Sequence, residues 1–445
     1  MGKKLFFISY YFPPIGGPGT MRPYYFVSNL QDTFDSIKIF AASEDAMYGL
    51  DNSYPVIQNP KVKFFRFDNS GLDGFKRAMG KIKLLPFFNF FFFPWFWERQ
   101  LPWSRKLYKQ LREQAKESRP DMVYVTSGPF SQVISAYKIC RAFNIPFVVD
   151  LRDPFSESPG RTWMSYWHQR YFKKKEKKIL DACVKVIVAT PGMKRDYIAA
   201  QNIPADKIEV ILNGIHVFDP AKVKKTTEIL PGKTTELVYT GSLIDWDGHF
   251  NPVTKKTAIP FKFHTYNSNT RSLYFYMHAI AALKRAGKEP KAVFSIYGGS
   301  DLPKTKTFIA SNKLEEDIVF KGKVPFTQLN AVYEKCDILV LLMEERVDGK
   351  GKSCFMTGKI YEYISSGKPI ICIGSPNDAT DLLDELSYPY IRWDNNAEKI
   401  MQGLEELAEN GLRHEMNMEA FNSSITKCLR SAQAQQLANI LQKNV

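Results

Sequence analysis

Three clusters in this 445-residue chain combine residue types and spacings that could do chemistry. The richest runs from Gly349 to Gly374, GKGKSCFMTGKIYEYISSGKPIICIG. Small and basic residues lead into a short helical segment, and Gly367 and Pro369 punctuate the entry to an apolar strand. Lys359 and Glu362 are three residues apart, so both fall on one helix face near its start. A lysine at a helix N-terminus opposes the helix dipole unless an anion binds there. A carboxylate one turn later only accepts hydrogen bonds, which suits a pair of vicinal hydroxyls such as those of a ribose. The plain alternative is an ion pair on a solvated surface.

The second cluster, FPPIGGPGTMRP, follows the first apolar run, and its Gly16, Gly17 and Gly19 let backbone approach a ligand closely. The helix start after it offers unpaired N–H groups to an anion, and Arg22 stands at its entrance. A tight turn alone explains the glycines equally well. The third, VDLRDPF, sets Asp150, Arg152 and Asp153 at the end of a buried run, where polar side chains reach a ligand or form a salt-bridged loop.

These clusters sit at the ends of strands. LFFISYYF, MVYVTSG, PFVVDLRDP and VKVIVATP each read as buried strands closed by a polar loop, with segments of helical spacing between them. The same pattern restarts with ELVYTGSL, AVFSIYGGS, DIVFKGKVP, DILVLLM and KPIICIGSP. Strand, loop and helix in alternation imply parallel sheets covered on both faces, with ligands at the carboxyl ends of the strands. The expected fold class is α/β, two doubly wound Rossmann-like domains facing across a cleft. The expected divisions are 1–213, a charged, Pro/Gly-punctuated connection at 214–235, and 236–424. A C-terminal helix, about 425–445, is expected to pack back onto the first domain.

Two stretches do not follow the pattern. Lys81 to Trp103, KIKLLPFFNFFFFPWFWERQLPW, is intensely aromatic but too interrupted for a membrane-spanning helix, which needs about 20 unbroken apolar residues. It reads either as an interfacial element that dips into a bilayer or holds a lipid-borne acceptor, or as a helix buried against the core. Asp245 to Arg271 reads as an inserted loop or hairpin with no assigned role.

The length points to two domains, and 44% hydrophobic with 24% charged residues is ordinary for a globular chain. The net charge of +15, with a pI of 9.3, favours a polyanionic or anionic-surface partner. The run HQRYFKKKEKKIL, from His168, fits either a membrane-facing or a solvated helix face. Six scattered cysteines without metal-ligand spacing imply core thiols in a reducing compartment. The basic, apolar N-terminus reads as a first strand rather than a signal peptide, and the expected location is cytoplasmic, peripheral on the inner face of the membrane.

In order along the chain, YFPPIGGPGTMR, TSGPFS, VVDLRDPF, VIVATPGMKRDYI, KIEVILNGI, LVYTGSL, FSIYGG, VFKGKVP and GKIYEYISSGKPII together resemble the retaining glycosyltransferases of family four. Those enzymes have the GT-B architecture, and the likeness is strongest to members that make bacterial surface polysaccharides. The resemblance implies transfer of a sugar from a nucleoside-diphosphate sugar to a glycan or lipid-linked acceptor. Gly16 and Gly17 would form the loop near the diphosphate and acceptor, and Asp153 would lie near the transferred sugar. Gly241 and Ser242 would face the donor phosphates, with Arg271 as the phosphate-binding base. Val324 would meet the nucleobase through its backbone, Lys359 the diphosphate and Glu362 the ribose. The expected catalytic residues are Asp153 and Lys359. The family's first glutamate, eight positions before Glu362, falls on Cys354. No DxD-like motif closes a strand, so neither a metal nor another cofactor is expected, and closure about the connection near His216 would assemble the site. The alternatives are an epimerase of the same architecture, a domain that binds the donor without transferring it, and a basic nucleic-acid-binding protein. The aromatic and basic residues show no nucleic-acid recognition pattern, so no nucleic acid is expected.

Overall fold

The computed structural model describes residues 3–45, 48–69, 97–158, 162–216, 218–223, 225–246, 261–262, 266–325, 328–347 and 351–445. Most of the aromatic Lys81–Trp103 stretch and of the Asp245–Arg271 insertion lies outside the described residues. Two compact units emerge. One comprises Met1–Asn213, Thr254–Phe263 and Arg430–Val445; the other comprises Gly214–Val253 and His264–Leu429.

The first unit contains β1 (Lys4–Ile8), α1 (Pro18–Leu30), β2 (Ser36–Ala42), β3 (Val62–Phe67), α2 (Leu101–Glu117), β4 (Met122–Thr126) and α3 (Phe130–Phe143). After these come β5 (Phe147–Leu151), α4 (Tyr166–Ala182), β6 (Lys185–Val188), α5 (Pro191–Gln201) and β7 (Ile208–Val210). The strands form one parallel sheet in the order β3-β2-β1-β4-β5-β6-β7. MVYVT and FVVDL are buried at every position, as strands covered on both faces must be. Local chemistry sets the helix ends: the Thr190 hydroxyl accepts the Met193 N–H before α5, and Asn202 closes that helix in the left-handed region.

The second unit contains β8 (Thr226–Ile229), β9 (Thr235–Thr240), α6 (Tyr274–Arg285), β10 (Ala292–Tyr297), α7 (Pro303–Ser311), β11 (Ile318–Phe320), α8 (Leu329–Lys335) and β12 (Ile338–Leu342). It continues through α9 (Lys359–Ser366), β13 (Ile370–Ile373), α10 (Asp378–Glu385), β14 (Tyr390–Trp393), α11 (Ala397–Asn410), β15 (Leu412–Glu415) and α12 (Met418–Ile425). Its parallel sheet runs β11-β10-β9-β12-β13-β14, a doubly wound order that reverses between β9 and β12. Residues 214–235, read from the sequence as a connection, are grouped with this unit, and β8 pairs antiparallel with β15. The last helix, α13 (Arg430–Lys443), belongs to the first unit, where Ala434, Leu437, Ala438 and Leu441 share a core with Phe26, Val27 and Leu30 of α1.

Candidate active site

β9 and β12 flank the reversal of strand order in the second sheet, where an open α/β sheet offers its ligand crevice. Gly241 leaves β9 with a φ of +119°, and a Cβ there would fall 2.3 Å from Lys359 Cε. Lys359 is the first residue of α9. Its ammonium donates to the Tyr239 hydroxyl at 3.1 Å and lies 4.8 Å from that ring's centroid. Lys359 makes no ion pair among the described residues, although it stands at the positive end of the helix dipole. The Tyr239 hydroxyl donates to the carbonyl of Ser242, which is itself exposed.

Neighbouring loops close on this point through residues without side chains. A Cβ on Gly298 would lie 2.0 Å from the Gly241 carbonyl oxygen, and one on Gly299 would lie 2.1 Å from Lys323 Cε. Half-buried Val324 follows Lys323 in the loop after β11. One turn into α9, the Tyr333 hydroxyl donates to Glu362 Oε2 at 2.8 Å. Burial, reinforced by the charge of Glu362, pushes the Tyr333 hydroxyl far above its ordinary pKa, so it stays protonated as a donor. Thr240 lies 3.2 Å from that hydroxyl, and its N–H donates to the Tyr363 hydroxyl at 3.1 Å. Glu362 is thereby oriented from beneath by β9 and α8.

Arg271 ends the insertion on a short 3₁₀ turn, with its guanidinium 4.5 Å from the centroid of Phe355 and 3.9 Å from Glu344. Burial raises the Glu344 carboxyl pKa, and Arg271 partly offsets that. The Glu345 N–H donates to Thr270 Oγ1 at 2.9 Å, and Tyr266–Asn267 pairs antiparallel with Glu345–Arg346. The end of the insertion is thus stitched to the loop leaving β12. Cys354, at the position of the missing glutamate, is buried.

In the first unit, two polar residues singled out in the sequence, Arg22 and Asp150, turn out to hold each other. Gly17 has a φ of +91°, and the space of its missing Cβ is taken by the Tyr48 ring, 2.5 Å away, while Gly16 faces Asp51. Arg22 does not stand ready for an anion: it forms a buried two-pronged ion pair with Asp150, at 2.9 and 3.0 Å. Tyr124 also donates to Asp150, so this carboxylate is structural. Arg152 ties its own loop to the first turn of α1 and to the loop after β4 by donating to the carbonyls of Gly19, Ser127 and Gly128. The N-terminus of α3 is capped by Glu98, which accepts the Phe130 and Ser131 N–H groups at 2.9 and 2.8 Å. Asp153 is exposed two residues beyond β5, with no hydrogen bond or ion pair among the described residues.

The segment after Asp153 is firmly anchored. Phe155 stacks on Phe130 at 3.8 Å, and wholly buried Glu176 of α4 accepts hydrogen bonds from Ser156, Tyr197 and Gln201. Burial raises the Glu176 pKa above the ordinary 4.5 despite these donors. Sequence reasoning passed over Tyr239, Tyr333, Glu344 and Lys323, because each reads locally as an ordinary core or surface residue. The pair Gly298-Gly299 was the one visible signal, two glycines closing a buried strand.

Two doubly wound parallel-sheet units give the GT-B fold, and matches to two glycosyltransferase family models make the chain a GT-B glycosyltransferase. Residues 70–217 match the family model described as Glycosyltransferase Family 4, and residues 263–410 match that described as Glycosyl transferases group 1. A glycosyltransferase from Rickettsia africae superimposes with a TM-score of 0.56 at 15% identity, covering 99% of this chain and 98% of that one. Anabaena HepE, solved in complex with UDP-glucose, gives 0.56 at 14% identity over 99% of each chain. Sucrose-phosphate synthase from Thermosynechococcus elongatus gives 0.59 at 13% identity over 99% of this chain and 98% of that one. No curated protein matches the sequence.

Proposed function

We propose that this protein transfers a glycosyl group from a nucleoside-diphosphate sugar to a saccharide or lipid-linked acceptor, with retention at the anomeric carbon, in surface-polysaccharide assembly. The observation that carries the donor side is Lys359: an ammonium at a helix N-terminus, against Gly241, without a carboxylate partner among the described residues. A diphosphate supplies the missing anion, and the oriented Glu362 accepts the two ribose hydroxyls. HepE holding UDP-glucose supports the donor class. In the reaction the bond from the anomeric carbon to the diphosphate oxygen breaks and the electron pair leaves with the diphosphate. The acceptor oxygen bonds to the same face, and its proton passes to the departing phosphate oxygen. Lys359, with Arg271 released from Glu344, stabilises the developing charge without a divalent metal. Asp153 is the exposed carboxylate kept for the transferred sugar.

Thermal stabilisation by UDP, UDP-glucose and GDP, each with and without chelator, tests the reading. A donor at about a hundred times its dissociation constant stabilises by about 2.7 kcal/mol. Glu362→Ala is expected to abolish most of that shift. Full stabilisation of the variant, or loss of wild-type stabilisation on chelation, contradicts the assignment.

A further inference from the structure

We propose that the outer face of α4 docks on an anionic phospholipid surface, with the groove between α3 and α4 taking a phosphodiester headgroup. The helix buries Gln169, Phe172, Glu176, Ile179 and Leu180 against the first unit. The opposite side presents Trp167, Arg170, Tyr171, Lys174 and Lys178 as one exposed stripe at helical spacing. Trp167 is 74% exposed and Tyr171 49% exposed. An exposed indole leaves a large apolar ring in water, whereas Trp and Tyr favour the boundary between headgroups and hydrocarbon, where the ring is buried and the N–H or O–H stays hydrated.

The groove beside this stripe has a volume of about 460 Å³ and is lined by Tyr137, Arg141, Lys174, Lys177, Lys178 and Asp181. Its one acid, Asp181, is paired with Lys177 at 2.9 Å. Arg141, Lys174 and Lys178 make no ion pair among the described residues, so their charges converge without compensation. Exposed Lys138 adds to the excess: after burial, it is the second cause lowering the pKa of Lys175. A free phosphate would engage the groove alone. A bilayer engages the groove, Arg170 and both aromatic side chains at once, which is why the lipid surface is the better match. No helix of the described residues is long and apolar enough to cross a membrane. None of these residues belongs to the donor site, and the inference does not depend on the donor chemistry.

The test is flotation of the full chain with phosphatidylcholine vesicles, and with the same vesicles carrying about 30 mol% phosphatidylglycerol, in about 0.1 M salt. Binding is expected only to the anionic vesicles, weakening as salt is raised. The double variant Lys174→Gln/Lys178→Gln is expected to partition about 25-fold less, roughly fivefold per charge. Trp167→Ala/Tyr171→Ala is expected to lose about tenfold. Unchanged thermal stabilisation by UDP-glucose in both variants shows that the fold and donor site are intact. Wild-type protein that stays unbound, or variants that float as well as wild type, overturn the proposal. So does stabilisation by inorganic phosphate that the lysine variant loses, when no vesicle binds: the groove is then a soluble-anion site.

Discussion

Gly298 and Gly241 touch where two loops at the ends of β9 and β10 meet, and the contact leaves no room for a methyl group. A Cβ on Gly298 would lie 2.0 Å from a backbone carbonyl oxygen, which cannot rotate away as a side chain could. Gly298→Ala is therefore expected to destabilise the second unit by about 3 kcal/mol, the upper end of overpacking costs, and to weaken donor binding by displacing Gly241 from Lys359. Gly287 is the control. Its φ is +71°, but a Cβ there meets nothing, so Gly287→Ala should cost only about 1 kcal/mol of backbone strain. Urea midpoints of the two variants measure the difference, and equal losses would sink the packing account. The double glycine was readable in the sequence; its partner was not, because the two residues are neighbours only through strand order.

At the scale of elements, α4 works on both faces. Its inner face carries Glu176, whose carboxyl holds the Phe155–Ser156 segment just beyond Asp153. Burial raises the pKa of this group in the folded state, so the fold binds its proton more tightly than the unfolded chain does. Its stabilising contribution is complete below the ordinary value of 4.5 and is lost as pH rises through the raised value. Wild type should thus lose stability relative to Glu176→Gln over that window. Denaturation of both proteins from about pH 4 to 8 checks this, and a constant difference would refute it. The charge run KKKEKK was legible as a basic helix face, but not that its one glutamate turns inward. Spacing puts Glu176 one turn after Phe172, and only the packed partners reveal that both face the core.

For the whole molecule, the return of α13 to the first unit makes that unit's stability depend on the end of the chain. Leu437 and Leu441 are fully buried there, worth together about 4 kcal/mol by burial alone. Removing residues 430–445 should lower the first unit's melting temperature by roughly 10 °C or more. The donor elements lie within 214–429, so stabilisation by UDP-glucose should persist in the second unit. Calorimetry resolves the two transitions, and an unchanged first transition would remove α13 from that core. By itself, the sequence determined the alternation of strand and helix in both halves and the pairing of Lys359 with Glu362 on one helix face. Both follow from spacings of a few residues, where backbone geometry alone decides which side chains share a face. Tertiary structure alone decided that Arg22 is consumed by Asp150, 128 residues away, and that Tyr333 orients Glu362. It also decided that Arg271 rests against Glu344 and Phe355. These contacts are set by strand order and burial, which join distant segments whose local sequences carry no mark of one another.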